Sequence, residues 1–237
     1  MQIEDILRAV AAEPVATAIL LDVDGTLAPI APRPGDAAVP APTRGELRRL
    51  LGRYGLVACI SGRPSEDARR VVGVPELTYV GEHGLELALD APAWSGRLGE
   101  FARAAGREAE RKPLSLTFHY RGEPDEEAAV AELEALAQRA LAAGLRPRFG
   151  RKVLEIRPPV EADKGTAVRA LLSSRGLRRA LYAGDDATDL DAFRALEHLE
   201  LGVRVAVASE EAPASLGAAA DLTVAGPPEL LELLRRL

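Results

Sequence analysis

The 237-residue sequence predicts an α/β protein in which a Rossmann-like parallel sheet is interrupted by an inserted α+β domain. Short apolar runs that end in glycine, serine or acidic residues are typical of buried parallel strands. They occur in the first and last thirds of the chain. Between them, apolar and polar residues alternate, as in half-exposed antiparallel strands. These patterns predict a core of residues 1–85 and 159–237 and an inserted domain of residues 86–158.

The first predicted strand, residues 18–21, ends in the sequence Asp22-Val23-Asp24-Gly25-Thr26-Leu27. The carboxyl ends of strands in an open α/β sheet face the ligand crevice, so both carboxylates can meet one reacting centre. Adjacent carboxylates repel each other unless a cation lies between them or one holds a proton. The pair therefore suggests a metal site with acid–base function. For an isolated pair, a loop acid followed by a helix-capping acid is the alternative.

Proline, glycine, helix-capping residues and apolar runs predict the other core elements. Residues 28–42 are rich in proline, glycine and alanine and predict a loop. Thr43-x-x-Glu46 predicts a capping box for a helix that ends at Leu51. Ser65 and Asp163 are predicted to cap the following helices, the second over residues 164–175. The remaining predicted strands are 56–60, 78–80, 181–183, 203–208 and 222–225, followed by a last helix over 229–237.

The predicted insert contains two helices and two alternating strands. Residues 96–111 predict one helix, and residues 125–143 predict another with Val130, Leu133, Ala137 and Leu141 on its apolar stripe. Residues 114–120 and 151–157 predict the strands. Along the first, odd-numbered positions place His119 and Arg121 on the polar face.

Composition limits the possible partners. A net charge of −6 argues against nucleic acid as the main partner, and the sequence lacks an apolar run long enough for a membrane span. Cys59 lies within an apolar run and is expected to be a buried thiol. We therefore expect a soluble, cytoplasmic protein that is monomeric by default.

Further polar residues follow the other predicted strands. Ser61 follows the second predicted strand and precedes Gly62. A serine at such a strand end can direct its hydroxyl at an anion. Lys164 opens a helix, and it is one of only three lysines among 30 basic residues. Asp185, Asp186 and Asp189 follow the strand at 181–183. All these groups are expected to converge on one crevice.

In type and order, these residues resemble the four motifs of the haloacid-dehalogenase (HAD) superfamily of phosphotransferases. The resemblance implies a HAD core with a C2-type cap that selects the substrate. It implies that Asp22 attacks phosphorus and that Asp24 acts as general acid and base. It also implies that Ser61 and Lys164 hold the phosphoryl oxygens.

The same resemblance implies a Mg²⁺ cofactor. Its ligands would be Asp22, Asp185 and the backbone carbonyl of Asp24, with Asp186 and Asp189 supporting them directly or through water. A cation suits this chemistry because a phosphate dianion repels a carboxylate nucleophile unless positive charge lies between them.

Further motifs resemble the trehalose-6-phosphate phosphatases, over about residues 17–226. They are Gly81-Glu82-His83-Gly84, Lys112 with His119-Tyr120-Arg121, Lys152-x-x-Glu155 with Arg157-Pro158, Asp163-Lys164-Gly165 and Gly184-Asp185-Asp186-Ala187-Thr188-Asp189. The substrate-binding residues implied are Gly25, Thr26, Arg63, Glu82, His83, Lys112, His119, Arg121, Lys152 and Glu155. The sequence departs from that family at Leu190, where an acidic residue is usual.

Lys152 and Glu155 have opposite parity in a regular strand. Both can contact a sugar only if Lys152 lies in a turn after Gly150. A solvated face of a small sheet is the alternative explanation for the polar residues of the insert.

The resemblance implies a sugar phosphate as partner and functional pairing with a trehalose-6-phosphate synthase. Sucrose phosphate or a glycosyl-phosphoglycerate is the alternative substrate. A phosphomutase would need a bisphosphate activator. A sugar-phosphate sensor without catalysis would normally have lost Asp22 or Asp24, and both are present.

Overall fold

The computed structural model describes residues 3–31, 33–150, 152–209 and 212–237. Pro32 in the predicted loop and Arg151 in the predicted strand lie outside them. The α-helices are α1 (Ile3–Ala12), α2 (Ala41–Leu51), α3 (Ser65–Val72), α4 (Ser95–Ala104), α5 (Glu126–Ala142), α6 (Lys164–Arg175), α7 (Asp189–Ala195), α8 (Ala214–Ala219) and α9 (Pro227–Arg235). The strands are β1 (Thr17–Leu21), β2 (Leu56–Ile60), β3 (Thr78–Val80), β4 (Glu110–Arg111), β5 (Leu116–His119), β6 (Arg146–Gly150), β7 (Val153–Arg157), β8 (Arg179–Gly184), β9 (Leu201–Val207) and β10 (Leu222–Val224).

The chain forms two compact units, one of residues 1–84 with 162–237 and the other of residues 85–161. The first unit is built on a six-stranded sheet in the order β10-β9-β8-β1-β2-β3. Every neighbouring pair of strands in it is parallel, so the predicted α/β core with a parallel sheet is confirmed. None of the helices in the described ranges combines the length and apolar character needed to cross a membrane.

Strand β1 explains how the sheet organises the first unit. All five of its residues are buried, because helices cover both faces of the sheet. Ile19 and Leu21 belong to one apolar cluster with residues of α1, α2 and α9, while Ala18 and Leu20 belong to a second with residues of α6 and α7. Since β1 lies between β2 and β8, the residues that follow these three strands meet at one edge.

The start of α2 differs from the prediction. The helix begins at Ala41, after Pro40, and no side chain caps it, so the predicted capping box of Thr43 and Glu46 is wrong. Pro42 lies in the first turn, where the fixed proline φ suits a helix and the missing N–H removes no hydrogen bond. Pro42 therefore favours a helix start at Ala41, whereas the sequence analysis placed the start of this helix too late.

Two other predicted caps have opposite outcomes. Ser65 is not a cap, because it is the first residue of α3 and follows Pro64. The cap by Asp163 is confirmed, since its side chain accepts the Thr166 N–H at 2.7 Å. This cap fixes the first turn of α6, which carries Lys164.

The second unit contains a four-stranded antiparallel sheet in the order β4-β5-β7-β6. One face of the sheet packs its apolar residues with α4 and α5. The residues of that face in the cluster are Leu116, Phe118, Leu154 and Ile156. Thr117 and Glu155 alternate with them and therefore point to the other face.

Several local predictions for the second unit are wrong. The helix predicted over 96–111 ends at Ala104, and Gly106 adopts a φ of +77°, which an α-helix does not allow. The last two residues of that range form β4. The predicted apolar stripe of α5 is right for Leu133 and Ala137, which are buried together with Ala129, Leu136 and Ala140, and wrong for Leu141, which is exposed; Val130 is half-buried.

Candidate active site

Asp22 and Lys164 lie at the centre of a buried polar cluster at the carboxyl edge of the parallel sheet. Asp22 directly follows β1, and Lys164 is the first residue of α6. Lys164 Nζ lies 2.7 Å from Asp22 Oδ1 and 2.7 Å from Asp189 Oδ1. Asp22 is 5% exposed and Lys164 is 2% exposed. The ammonium therefore fixes the orientation of the Asp22 carboxylate.

Asp189 is held by hydrogen bonds on both carboxylate oxygens. Its Oδ1 accepts from Lys164 and from the Tyr182 hydroxyl, each at 2.7 Å. Its Oδ2 accepts the backbone N–H groups of Asp185 and Asp186, at 3.0 and 2.9 Å. With four donors, Asp189 fixes the loop that carries Asp185. The sequence analysis did not identify Tyr182, whose only signal is a phenol within a buried strand.

Asp22, Asp185 and Asp189 form a group of carboxylates that could hold a metal ion. One oxygen from each lies within 4.8 Å of the others, and all three residues are buried. Thr26 donates to Asp185 Oδ1 at 3.2 Å. Gly25 has a φ of +83°, and a Cβ there would lie 2.1 Å from Asp185 Oδ2, so only glycine leaves room for this carboxylate. An all-oxygen donor set fits Mg²⁺.

The charges in this cluster do not balance. Burial raises the pKa of Asp22 well above its usual range; Lys164 opposes this shift, while the carboxylates of Asp189 and Asp185 add to it. Burial alone would lower the pKa of Lys164, but the carboxylates of Asp189 and Asp22 raise it above its ordinary value. Three buried carboxylates facing one ammonium is an arrangement that a bound cation would relieve.

Asp24 and Arg63 form a bidentate ion pair. Arg63 Nε lies 2.6 Å from Asp24 Oδ2, and Arg63 Nη2 lies 2.7 Å from Asp24 Oδ1. Arg63 also donates to Asp67 Oδ2 at 2.7 Å, so the first turn of α3 anchors the guanidinium. The two carboxylates of the first motif therefore have different partners, because Asp24 pairs with Arg63 and Asp22 contacts Lys164.

Ser61, Glu82 and His83 come from the loops that follow β2 and β3. Ser61 Oγ accepts the Arg63 N–H at 3.1 Å, and the Ser61 carbonyl accepts the His83 N–H at 2.9 Å. Glu82 is fully buried, and Glu82 and His83 have φ values of 47° and 54°. Non-glycine residues in this left-handed region are held there by their surroundings and often mark functional loops.

Asp186 and Leu190 flank the acidic loop after β8. Asp186 is half-buried, and its Oδ1 accepts the Ala187 N–H at 2.6 Å, which supports the loop conformation. Leu190 packs against the apolar cluster on the α6–α7 side of the sheet. An apolar residue at 190 is therefore accommodated by packing.

In the second unit, Lys112 and Glu155 lie together on the polar face of the sheet. Lys112 Nζ is 3.8 Å from Glu155 Oε1, and the Ser115 hydroxyl donates to the same oxygen at 3.5 Å. Arg157 Nε is 3.8 Å from Glu155 Oε2. Glu155 is 6% exposed and Arg157 is 7% exposed. The sequence analysis quoted Arg157 only as part of a motif and did not include Ser115 in the site.

The other predicted residues of the second unit have different contacts. Lys152 has a φ of 57° and lies in the turn between β6 and β7, as the parity argument required. Lys152 forms an ion pair with Glu126, and the hydrogen bond within this pair raises the pKa of Lys152. His119 Nε2 lies 2.6 Å from Glu110 Oε2. Arg121 is exposed in the turn after β5.

Comparisons with known proteins identify similar chains. A protein-family model described as trehalose-phosphatase matches residues 20–96 and 99–227. An uncharacterised glycosyl hydrolase of Mycobacterium tuberculosis is 37% identical over 213 residues, which cover 79% of this chain and 16% of that protein. A trehalose-phosphate phosphatase of Mycobacterium marinum is 34% identical over 204 residues, which cover 76% of this chain and 51% of that protein. The chain thus spans about half of the second relative and a much smaller share of the first.

A solved structure shares the fold. The C-terminal domain of trehalose-6-phosphate phosphatase from Candida albicans superposes with a TM-score of 0.77 and 23% sequence identity. The superposition covers 97% of this chain and 95% of that one. At this identity, the likeness concerns the fold alone.

Proposed function

Because the chain belongs to the trehalose-phosphatase family, we propose that it hydrolyses trehalose 6-phosphate to trehalose and phosphate. The observation that carries the proposal is the buried cluster in which Lys164 lies 2.7 Å from both Asp22 and Asp189. An oriented carboxylate beside an ammonium suits nucleophilic attack on a phosphate ester. A trehalose-6-phosphate synthase is the expected source of the substrate.

In the proposed first step, a carboxylate oxygen of Asp22 attacks phosphorus in line with the bond to the sugar. The bond between phosphorus and the sugar oxygen breaks, and Asp24, which has taken up a proton after its release from Arg63, gives that proton to the sugar oxygen. In the second step, water attacks the aspartyl phosphate while Asp24 takes a proton from the water. The bond between phosphorus and Asp22 then breaks, which releases phosphate and restores both carboxyl groups.

Lys164 is proposed to donate one hydrogen bond to the phosphoryl group while it keeps its contact with Asp22. An ammonium has three N–H donors, and Lys164 uses two of them on Asp22 and Asp189. The third can donate to a phosphoryl oxygen, and Ser61 supplies a hydroxyl from the neighbouring strand end. Residues Gly25 and Thr26 belong to the same loop as the nucleophile.

Asp24 has to move before it can act on the sugar oxygen. Arg63 covers both carboxylate oxygens of Asp24 with hydrogen bonds of 2.6 and 2.7 Å. We propose that the substrate phosphate attracts Arg63 and thereby releases Asp24. In this proposal, Arg63 binds substrate and positions the acid.

Asp22 and Asp185, with the backbone carbonyl of Asp24, are the proposed ligands of Mg²⁺. Asp189 is a supporting residue because four donors already occupy its oxygens. When bound, the ion would offset the negative charge of the phosphate and of the carboxylates. Asp186 would support the same loop.

Residues 86–158 are proposed to form the cap that recognises the sugar. Lys112 and Glu155 lie within 3.8 Å of each other and offer a donor and an acceptor for sugar hydroxyls. Glu82 and His83 are proposed to bind substrate from the loop after β3. His119 and Lys152 can contribute only after leaving their ion pairs with Glu110 and Glu126, whereas Arg121 is exposed in the turn after β5.

A panel of phosphate esters tests this function. We expect phosphate release from trehalose 6-phosphate to exceed that from glucose 6-phosphate or sucrose 6-phosphate by about 100-fold, because a wrong sugar leaves polar groups unpaired. EDTA should reduce the rate by more than ~100-fold, and added Mg²⁺ should restore it.

Each part of the proposal can fail separately in this panel. Equal rates on all sugars would contradict the substrate, and an unchanged rate in EDTA would contradict the metal. Turnover that requires a bisphosphate activator would indicate a phosphomutase, whereas no release from any ester would favour a sensor.

A further inference from the structure

A row of polar residues crosses all four strands of the sheet in the second unit. Thr117 of β5 pairs in register with Glu110 of β4 on one side and with Glu155 of β7 on the other. Glu155 in turn pairs with Arg148 of β6. Side chains at directly paired positions project from the same face of a sheet. The Thr117 hydroxyl therefore lies in the middle of the face that carries Glu155 and Lys112.

Thr117 differs from its neighbours because its hydroxyl is not satisfied. The residue is 4% exposed, and its Oγ1 has no hydrogen-bond partner among the residues that the structure describes. Ser115, two positions earlier, is fully buried but donates to Glu155. A buried hydroxyl without a partner destabilises the fold, so native proteins usually satisfy it with protein, water or ligand.

We propose that the Thr117 hydroxyl binds a hydroxyl group of the substrate's sugar. This inference rests on the proposed function and adds a residue that determines sugar specificity. A threonine hydroxyl can both donate and accept, whereas Glu155 only accepts and Lys112 only donates. A polyol carries groups that do both, so a neutral hydroxyl between charged side chains matches its chemistry.

A purely structural role for Thr117 makes a different prediction. Valine has nearly the shape of threonine but lacks the hydroxyl. If the hydroxyl serves only packing, Thr117→Val removes an unsatisfied polar group and leaves catalysis unchanged. If it binds sugar, the same change lowers activity on sugar phosphates without destabilising the protein.

The test compares Thr117→Val and Thr117→Ser on trehalose 6-phosphate and on p-nitrophenyl phosphate, which has no sugar. We expect valine to reduce kcat/KM for trehalose 6-phosphate about 3–10-fold, mainly through KM, as for one lost hydrogen bond. The rate on p-nitrophenyl phosphate should not change. Serine, which keeps the hydroxyl, should retain most of the activity, and the unfolding midpoint of the valine variant should stay equal or rise.

Thr43→Val is the matched control. Thr43 is also 4% exposed but lies in α2 of the first unit. It should leave both rates unchanged. An unchanged kcat/KM in Thr117→Val, or an equal loss on both esters, would overturn the inference.

Failure of the proposed function would appear differently, as a wild-type protein that does not hydrolyse trehalose 6-phosphate. The variants would then be compared on the sugar phosphate that the wild type hydrolyses fastest. A selective loss in Thr117→Val on that ester would support the inference without the proposed substrate. A wild type inactive on every sugar phosphate would overturn both.

Discussion

Asp22→Asn is expected to reduce phosphate release from trehalose 6-phosphate by at least about 10⁴-fold, because an amide cannot replace the attacking carboxylate. The protein should still fold. Asparagine retains an oxygen that can accept a hydrogen bond from Lys164. The substitution also removes the negative charge of one of three neighbouring buried carboxylates. Phosphate release by the wild type and the variant, with Mg²⁺ present, measures the loss.

Asp221→Asn provides the control for this substitution. Asp221 directly precedes β10 and pairs at 2.8 Å with Arg204 of β9, at the end of the sheet opposite to β3. Its substitution should leave turnover at the wild-type level. If Asp22→Asn kept more than about a hundredth of the activity, Asp22 would not be the nucleophile.

Lys164→Met is expected to have the second largest effect, on both stability and activity. Methionine fills a similar space but leaves the carboxylates of Asp22 and Asp189 buried without their cation. Removing one partner of a buried ion pair costs about 3–5 kcal/mol of unfolding free energy. Urea unfolding in EDTA measures that cost, and activity should fall by at least ~10³-fold.

Lys152→Met is the matched control. Lys152 forms its ion pair with Glu126 near the surface, where solvent screens the attraction, so this substitution should change the unfolding free energy little. Because an added cation can take over part of the charge compensation, Mg²⁺ should recover part of the stability of Lys164→Met but little of its activity. Equal stabilities of Lys164→Met and Lys152→Met in EDTA would contradict the electrostatic role of Lys164.

The core and its acidic residues could be predicted because local sequence determines them. A strand buried on both faces needs an uninterrupted apolar run, as in β1, and the polar residues after it mark the ligand edge. Asp163 could be recognised as a cap from its position before a helical pattern. Neighbouring strand ends therefore indicated which side chains belong together.

The pair of Asp24 and Arg63 could not be predicted. These residues are 39 positions apart, and their contact depends on how two loops pack at the end of the sheet. The sequence analysis assigned Arg63 to substrate only because the family resemblance implies it. Likewise, the contact between Tyr182 and Asp189 depends on the loop between them.

The edge strands and the end of α4 were missed for reasons of composition. Strand β6 contains two arginines and Pro147, and proline is tolerated at the edge of a sheet. Residues 103–105 are arginine and alanine, which favour helix, so only Gly106 signals that the helix has ended. The edge strands β4 and β6 therefore take their structure from the neighbouring strands more than from their own sequence.

The most direct test of the central claim is to acid-quench the protein during turnover of trehalose 6-phosphate and to locate the covalent phosphate by mass spectrometry. We predict a phosphoryl group on Asp22 that appears with trehalose 6-phosphate and is absent with glucose 6-phosphate and in Asp22→Asn. Rapid phosphate release from trehalose 6-phosphate with the phosphoryl group on another residue would contradict the account.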